Sequence, residues 1–572
     1  MAFRPDLILL HPPSVYDFRK IPSLLGPVSD VIPSKPIFEM YPIGFTSIVE
    51  HLLIKGFETR IINLAYRMLR DETFNAEKLI RKLDAYLFGI DLHWLPHAHG
   101  SLEIASLVKK HHPSRPVVMG GIASTYFHRE LIRFPQVDFV IRGDSAEVPI
   151  SLLLSAIKKG KDENALKEIP NLTWKDKSGQ VHFNELAYLP TSLHSFTNNY
   201  LNMFRMAMKY TDIQSMIPFS GWWTYPITAI MTCRGCTERC VICGASAPAF
   251  AEYGCRKAPA FRPPDLLAQD VVNISRYTNG PIFIVGDLRQ AGMDYVEDFF
   301  KSLETHVIRN HVIIELFKAA SREYLERVAK IFPNFNIEMS PESHDEKVRK
   351  ACGKTYSNQD VTQALSDSLS LGCHKFDLFF MTGMPYQNYE SVLETIKWCE
   401  ELMKRHDRRV NLFISPLAPF LDPGSLGFEQ AEKSGYKILF RDLESHRRAL
   451  IAPSWKYTLN YETQWMDRDQ IVLSTYHAAR SLNAAKLRHG YLSREESERV
   501  DSRIAAALEM HEEIDRAMAL DSEDRENALL ALRPKLRDLS EDTVCLKKEL
   551  KWPVLIKNFN YFAIGWDILL KR

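Results

Sequence analysis

Thr232-Cys-Arg-Gly-Cys-Thr-Glu-Arg-Cys-Val-Ile-Cys-Gly244 holds four of the chain's nine cysteines. Cys236, Cys240 and Cys243 are separated by three and then two residues, a spacing at which three thiolates can hold an iron-sulfur cluster and leave one iron open. Residues 225–231, just ahead, read as a strand feeding the cysteine loop. Beyond it, apolar strand candidates at 282–285, 312–317, 336–340, 375–381 and 410–414 alternate with helical stretches at 264–277, 295–306, 321–332, 358–371 and 389–405. Six strand-helix units in series point to a partial parallel barrel. Active residues of such barrels lie at the carboxyl ends of the strands, where the cysteine loop also falls.

A structural zinc site with Cys233 as the fourth ligand is the competing reading of the cysteines. It is disfavoured because tetrahedral zinc sites usually pair two ligands with two from elsewhere in the chain, and four cysteines this close would be cramped. Cys255, Cys352, Cys373, Cys399 and Cys545 are scattered and read as small buried hydrophobes, so no auxiliary cluster is expected.

The chain has 572 residues, more than one hydrophobic core serves, so three domains are expected. Its 45% hydrophobic and 25% charged content is that of a soluble globular protein, and 72 Lys+Arg against 71 Asp+Glu give no bias toward nucleic acid. The apolar run at the N-terminus is too short for a signal segment, and no later run approaches a membrane span. Few cysteines for the length argue against a disulfide framework and for a reducing compartment, so a cytoplasmic protein is expected.

Ahead of the cysteine domain, residues 6–10, 58–63, 86–92, 116–119 and 138–141 read as short buried strands, with helical spacing at 43–55 and 100–111. This alternation implies a doubly wound parallel sheet, whose ligands sit beyond the carboxyl ends of the strands. The loops there include 11–18, 91–99, Gly120 to Thr125 and Gly143 to Glu147, and their glycines let backbone approach a large ligand.

The cysteine loop behind its strand, with the six units that follow, resembles the radical S-adenosylmethionine (radical SAM) superfamily. The resemblance implies a 4Fe-4S cluster on Cys236, Cys240 and Cys243, with its fourth iron chelated by the amino and carboxylate groups of S-adenosylmethionine (SAM). An electron from the cluster would then cleave the sulfonium and release a 5′-deoxyadenosyl radical. The resemblance also implies SAM contacts at Asp287 in Val285-Gly-Asp287, at Ser340 and Glu342 in Ser340-Pro-Glu342-Ser343, and at Gly383 in Thr382-Gly383-Met-Pro385. The usual Gly-Gly-Glu is absent at the first of these, and Ile242 stands where the family usually has an aromatic residue.

Tyr41-Pro-Ile-Gly44, Gly120-Gly121-Ile-Ala-Ser124 and Arg142-Gly143-Asp144 resemble the cobalamin-binding domain found ahead of radical SAM domains. That resemblance implies that Gly120, Gly121 and Ser124 line the slot for the cobalamin's nucleotide tail, with Gly143 a further cofactor-binding position. Cobalamin domains with a histidine axial ligand carry Asp-x-His-x-x-Gly after the first strand. Here that strand leads into His11-Pro-Pro-Ser-Val-Tyr16, while Asp91-Leu-His93 follows a later strand, has Pro96 in place of the glycine, and is read as coincidence. The alternative for the whole region is a Rossmann-like domain that binds nothing or another ligand.

The expected fold class is therefore α/β. It comprises a Rossmann-like, cobalamin-binding-type domain at 1–160, a linker at 161–222, a partial (β/α)6 barrel at 223–430 and a helical C-terminal domain at 431–572. The aromatic and Met-rich stretch 191–226 is read as interdomain packing rather than a substrate box. The apolar, lysine-flanked tail from Trp552 suits either a membrane surface or, as usual for apolar helix faces, a docking site on its own protein. The expected activity is cobalamin-dependent methylation of an unactivated carbon. Ring closure or rearrangement without methyl transfer, and a non-catalytic metal-stabilised scaffold, are the alternatives. The expected partners are a small-molecule or lipid-like substrate, an electron donor such as flavodoxin or ferredoxin, no nucleic acid, and peripheral membrane contact through the tail.

Overall fold

The computed structural model describes residues 4–27, 37–160, 162–196, 200–539, 544–554 and 559–570. Strands β1 (Leu7–His11), β2 (Thr59–Asn63), β3 (Leu87–Asp91), β4 (Val117–Gly120) and β5 (Phe139–Ile141) run parallel in the order β2-β1-β3-β4-β5. Successive side chains of a strand face opposite sides, so their unbroken apolar runs feed two cores. Ile8, Leu10, Phe88 and Ile90 pack with the helix Ala98–His111 on one face, and Leu7, Leu9, Leu87 and Val118 pack with the helices Gly44–Ile54 and Glu147–Lys158 on the other.

β6 (Leu172–Lys175) and β7 (Val181–Phe183) form a hairpin inside the stretch expected to be a linker. They instead extend this sheet, β6 pairing antiparallel with β5. An uncovered β5 would leave a row of unpaired backbone groups, and the hairpin also carries Trp174 into the core. Sheet growth reverses at β1, with β2 on one side and β3 on the other. The carboxyl ends of β1 and β3 therefore border the crevice where ligands of such sheets bind. His11 and Asp91 are the last residues of those two strands.

β8 (Thr228–Met231) starts the second sheet. The cysteine loop then opens with β9 (Cys233–Arg234), paired antiparallel with β10 (Ala260–Phe261). β11 (Ile282–Val285), β12 (Val312–Leu316), β13 (Phe335–Glu342), β14 (Phe376–Thr382) and β15 (Val410–Pro416) complete six parallel strands lying side by side in chain order after β8. The helices Pro264–Tyr277, Met293–Leu303, Arg322–Ile331, Asn358–Ser370 and Tyr389–Arg405 connect them, as the alternating sequence pattern requires. Three begin at side-chain caps from Ser321, Ser357 and Asn388, each satisfying a free N–H of the first turn.

The short antiparallel pair β16 (Tyr436–Ile438) and β17 (Tyr461–Thr463) precedes the long helices Arg468–Arg488, Arg494–Met518 and Ser522–Leu539. Tyr476, Leu482, Ile504 and Ile514 from the first two belong to the same hydrophobic core as Ile337 and Leu378 of the second sheet. Among the described residues no helix is long and apolar enough to cross a membrane. The last helix, Tyr561–Leu570, is held by Asp567, whose carboxylate accepts from Arg276 and Tyr277 at 2.7 Å each, while Phe562 and Leu569 stay exposed.

Candidate active site

The cysteine loop is shaped by backbone requirements. Gly235 has φ +93°, and a Cβ there would meet the Arg256 side chain at 2.8 Å. Behind the loop, Val241 N–H donates to Cys352 O at 2.9 Å, and Gly353, also with positive φ, leaves no room for a side chain against Arg239 O. The thiols of Cys236, Cys240 and Cys243 are half-buried. Glu238 N–H points at Cys236 Sγ and Ala245 N–H at Cys243 Sγ, each at 3.3 Å. Burial pushes the Cys236 thiol up to about 11 and raises Cys240 and Cys243 as well. A bound metal centre overcomes that by direct coordination, and backbone N–H groups aimed at sulfur suit cluster thiolates.

The spacing of the sulfurs bears on which centre fits. Among the described residues, no three cysteine sulfurs lie within 4.8 Å of one another. A tetrahedral ion with metal–sulfur bonds of about 2.3 Å needs sulfurs ~3.8 Å apart. As placed, at least one pair of these three sulfurs is too far apart for a single tetrahedral zinc ion.

The loop faces a cavity of about 570 Å³ that the carboxyl ends of both sheets enclose. From the second sheet come Cys233, Cys236, Cys243, Gly286 and Glu315. From the first come His93, Gly120, Gly121 and Gly143. The cavity continues as an apolar slot between the first sheet and its helices, down to Leu9, Gly89 and Val118 opposite Phe45, Ile48 and Ile150. Gly89 keeps the slot open at mid-strand, since a Cβ there would press on Leu9 at 2.7 Å. A deep apolar slot behind a Gly-Gly turn fits the nucleotide tail of a corrinoid.

Two buried ion pairs join the cysteine loop to the first sheet. Arg234 Nη1 donates to Glu147 Oε2 at 3.0 Å and to Ser145 Oγ at 2.9 Å, and Arg256 Nη2 donates to Asp144 Oδ1 at 2.9 Å. Burial alone would raise the Glu147 carboxyl, but the Arg234 charge and hydrogen bonds hold it below its ordinary value. Asp144 is thus committed to the junction.

Not all residues implied by resemblance reach the cavity. Ser124 is fully buried with its hydroxyl directed at Leu92 O, 3.4 Å away. Asp287 is buried in a two-pronged pair with Arg289, at 2.6 and 2.9 Å, and accepts from Phe317 N–H at 3.0 Å. Glu342, in the left-handed region at φ +66°, pairs with Lys354 at 2.5 Å, and its Oε2 is buried with no hydrogen-bond partner. Ser340 O takes a bond from the same Lys354 ammonium. Gly383 has φ +89° and makes room for Tyr461, whose hydroxyl would lie 2.3 Å from any Cβ.

Glu315 was missed by the sequence reading and does face the cavity. It sits near the carboxyl end of β12, where Gly286 N–H donates to its Oε2 at 2.6 Å, and burial pushes its carboxyl up to about 7. Its signal was one acid inside the apolar run Val312-Ile-Ile-Glu-Leu316. A second cavity, of about 370 Å³, adjoins the first and shares Pro42, Ile43, His93, Met231 and Val285 with it. Tyr200, Met203, Phe219 and Trp222 line it, so the aromatic stretch read as packing also walls an apolar space.

Residues 230–399 match the model of the Radical SAM superfamily, and residues 31–152 match that of the B12 binding domain. The anaerobic magnesium-protoporphyrin IX monomethyl ester cyclase of Synechocystis sp. is 23% identical over 270 residues, 46% of this chain and 48% of that protein. An uncharacterized protein of Methanocaldococcus jannaschii is 24% identical over 191 residues, 32% of this chain and 39% of that protein. The chain thus matches less than half the length of either relative. Among solved structures, the radical SAM methyltransferase TsrM from Kitasatospora setae, with cobalamin and a [4Fe-4S] cluster bound, superimposes with a TM-score of 0.54 at 14% identity, over 77% of this chain and 81% of that one. The cobalamin-dependent SAM radical enzyme OxsB superimposes with a TM-score of 0.57 at 12% identity, over 96% and 78%. These likenesses are of fold.

Proposed function

We propose that this chain, a radical SAM enzyme carrying a B12-binding domain, methylates an unactivated carbon of an apolar small molecule. Its cofactors are a 4Fe-4S cluster, SAM and cobalamin. When bound, they supply a 5′-deoxyadenosyl radical and a transferable methyl group. One observation carries the reading: Gly120 and Gly121 of the first sheet and Cys236 and Cys243 of the second open onto a single cavity.

The chain's own residues take positioning roles. Cys236, Cys240 and Cys243 hold the cluster, and Gly120, Gly121 and Gly143 border the slot for the corrinoid tail. Glu315 receives the methionyl ammonium of SAM, a role that Asp287, committed to Arg289, leaves open. Ser124 supports the Gly-Gly turn from behind. The substrate enters by the adjoining apolar cavity, whose lining offers aromatic and Met surface and favours an uncharged ligand. An electron donor such as flavodoxin or ferredoxin reduces the cluster. The exposed Phe562 and Leu569 suit a peripheral lipid contact, which co-sedimentation with vesicles tests; equal pelleting of wild type and a Phe562→Ser, Leu569→Ser variant would count against it.

Anaerobic turnover with SAM labelled in its methyl group tests the main reading. Label in the organic product is the expected result. A second reading, ring closure without methyl transfer, is favoured by the cyclase relative, and 5′-deoxyadenosine formed alongside an unlabelled, cyclised product would support it instead. Replacing Cys236, Cys240 and Cys243 together by Ala is expected to abolish 5′-deoxyadenosine, and its persistence would remove the site from the loop.

A further inference from the structure

Asp91, the last residue of β3, lies 3% exposed at the crevice where sheet growth reverses. Both of its carboxylate oxygens meet imidazole: Oδ1 is 3.0 Å from His11 Nδ1, and Oδ2 is 2.7 Å from His93 Nδ1. With Nδ1 of His93 facing the carboxylate, the nitrogen left for a further partner is Nε2.

The other imidazoles at this spot are engaged or enclosed. His11 Nε2 is 3.1 Å from Phe38 O, and His97 Nδ1 is 3.2 Å from Pro12 O. Both rings are fully buried and line neither cavity. The His93 side chain is 31% exposed and lines both. Its backbone is braced by the Gly-Gly turn. Gly121 has φ +122°, a Cβ on it would lie 2.2 Å from His93 Cα, and Ala123 N–H points at His93 O from 3.4 Å.

This arrangement is that of a metal ligand. A ligating histidine almost always donates its second ring N–H to a carboxylate, which fixes the tautomer, aims the ring and raises its basicity. Neutral imidazole is the commonest metal ligand among side chains. Of the metal centres this cavity would hold, the cluster is served by the cysteines on the opposite wall, and His93 projects from the B12-binding side.

We propose that His93, aimed by Asp91 and braced by Gly121, is an axial ligand to the cobalt of the bound corrinoid. The Asp91-Leu-His93 run is then functional despite following β3 rather than β1, because β1 and β3 are neighbours and share the crevice. The assignment rests on the corrinoid reading of the first domain. Ligation is one dative bond from Nε2, with no change in proton count.

The test is electron paramagnetic resonance of the full chain loaded with cob(II)alamin, with binding followed by absorption. Each high-field cobalt line is expected to split into three through one nitrogen-14. Protein grown with nitrogen-15 histidine is expected to show two, and His93→Gln to show unsplit lines with corrinoid still bound. Unsplit lines in wild type would overturn the proposal alone. So would a threefold pattern that labelled histidine leaves unchanged, since the ligand would be the cofactor's own base. A histidine-derived splitting that survives in His93→Gln would reassign the ligand. Wild-type protein that binds no corrinoid would overturn this proposal together with the reading beneath it.

Discussion

Glu315 is an acid in an apolar strand whose burial raises its carboxyl to about 7. It is therefore anionic above that pH and neutral below it. If it receives the SAM ammonium, SAM binding should tighten as pH rises through about 7 and weaken below. Glu315→Gln should flatten this dependence and weaken binding roughly tenfold or more, as expected for a hydrogen bond to a charged group of about 1.5–3 kcal/mol. Equilibrium dialysis across pH checks this, and an unchanged slope in the variant would remove Glu315 from the SAM site. The role of Gly121 is steric. Gly121→Ala should lower stability by about 1–3 kcal/mol through overpacking and unfavourable φ, read from the urea midpoint, and should disturb His93 more than the cysteine loop.

At the scale of elements, two buried ion pairs tie the cysteine loop to the first sheet. Arg234→Met would strand the buried Glu147 carboxylate and should destabilise the protein by about 3–5 kcal/mol, whereas the double change with Glu147→Leu should recover most of that loss. The folded-state pKa of Glu147 lies below its ordinary 4.5, so its contribution is complete above that pH and is lost as pH falls through the lowered value. Thermal unfolding of wild type and double variant as a function of pH checks this; an identical acid response would contradict it. Much at this scale was legible in the sequence, because buried parallel strands write themselves as apolar runs such as Asp6-Leu-Ile-Leu-Leu10 and the cysteine spacing is local. Other features depend on partners distant in sequence. The hairpin β6–β7 joins the first sheet only because β5 lies open beside it, and the stretch around Trp222 becomes a cavity wall only once it meets His93 and Tyr41. The placement of Asp91-Leu-His93 at the crevice likewise depends on strand order, since β3 borders it only by adjoining β1.

For the whole molecule, the parallel strands of two sheets turn their carboxyl ends toward one cavity, and the C-terminal helices share the core of the second sheet. The tail closes the arrangement. Trp552 N–H donates to the Tyr225 hydroxyl at 2.9 Å, and Phe559 contributes to the apolar cavity. On the proposed function, one chain holds a radical-generating cluster and a corrinoid on opposite walls of one space. Metal and sulfide analysis with the absorption spectrum of protein purified without oxygen and supplied with iron, sulfide and cobalamin tests it most directly. The expected result is one 4Fe-4S cluster and one corrinoid per chain, with the Cys236, Cys240 and Cys243 triple Ala variant losing the iron and keeping the cobalt; zinc in place of iron, or iron with no retained cobalt, would contradict it.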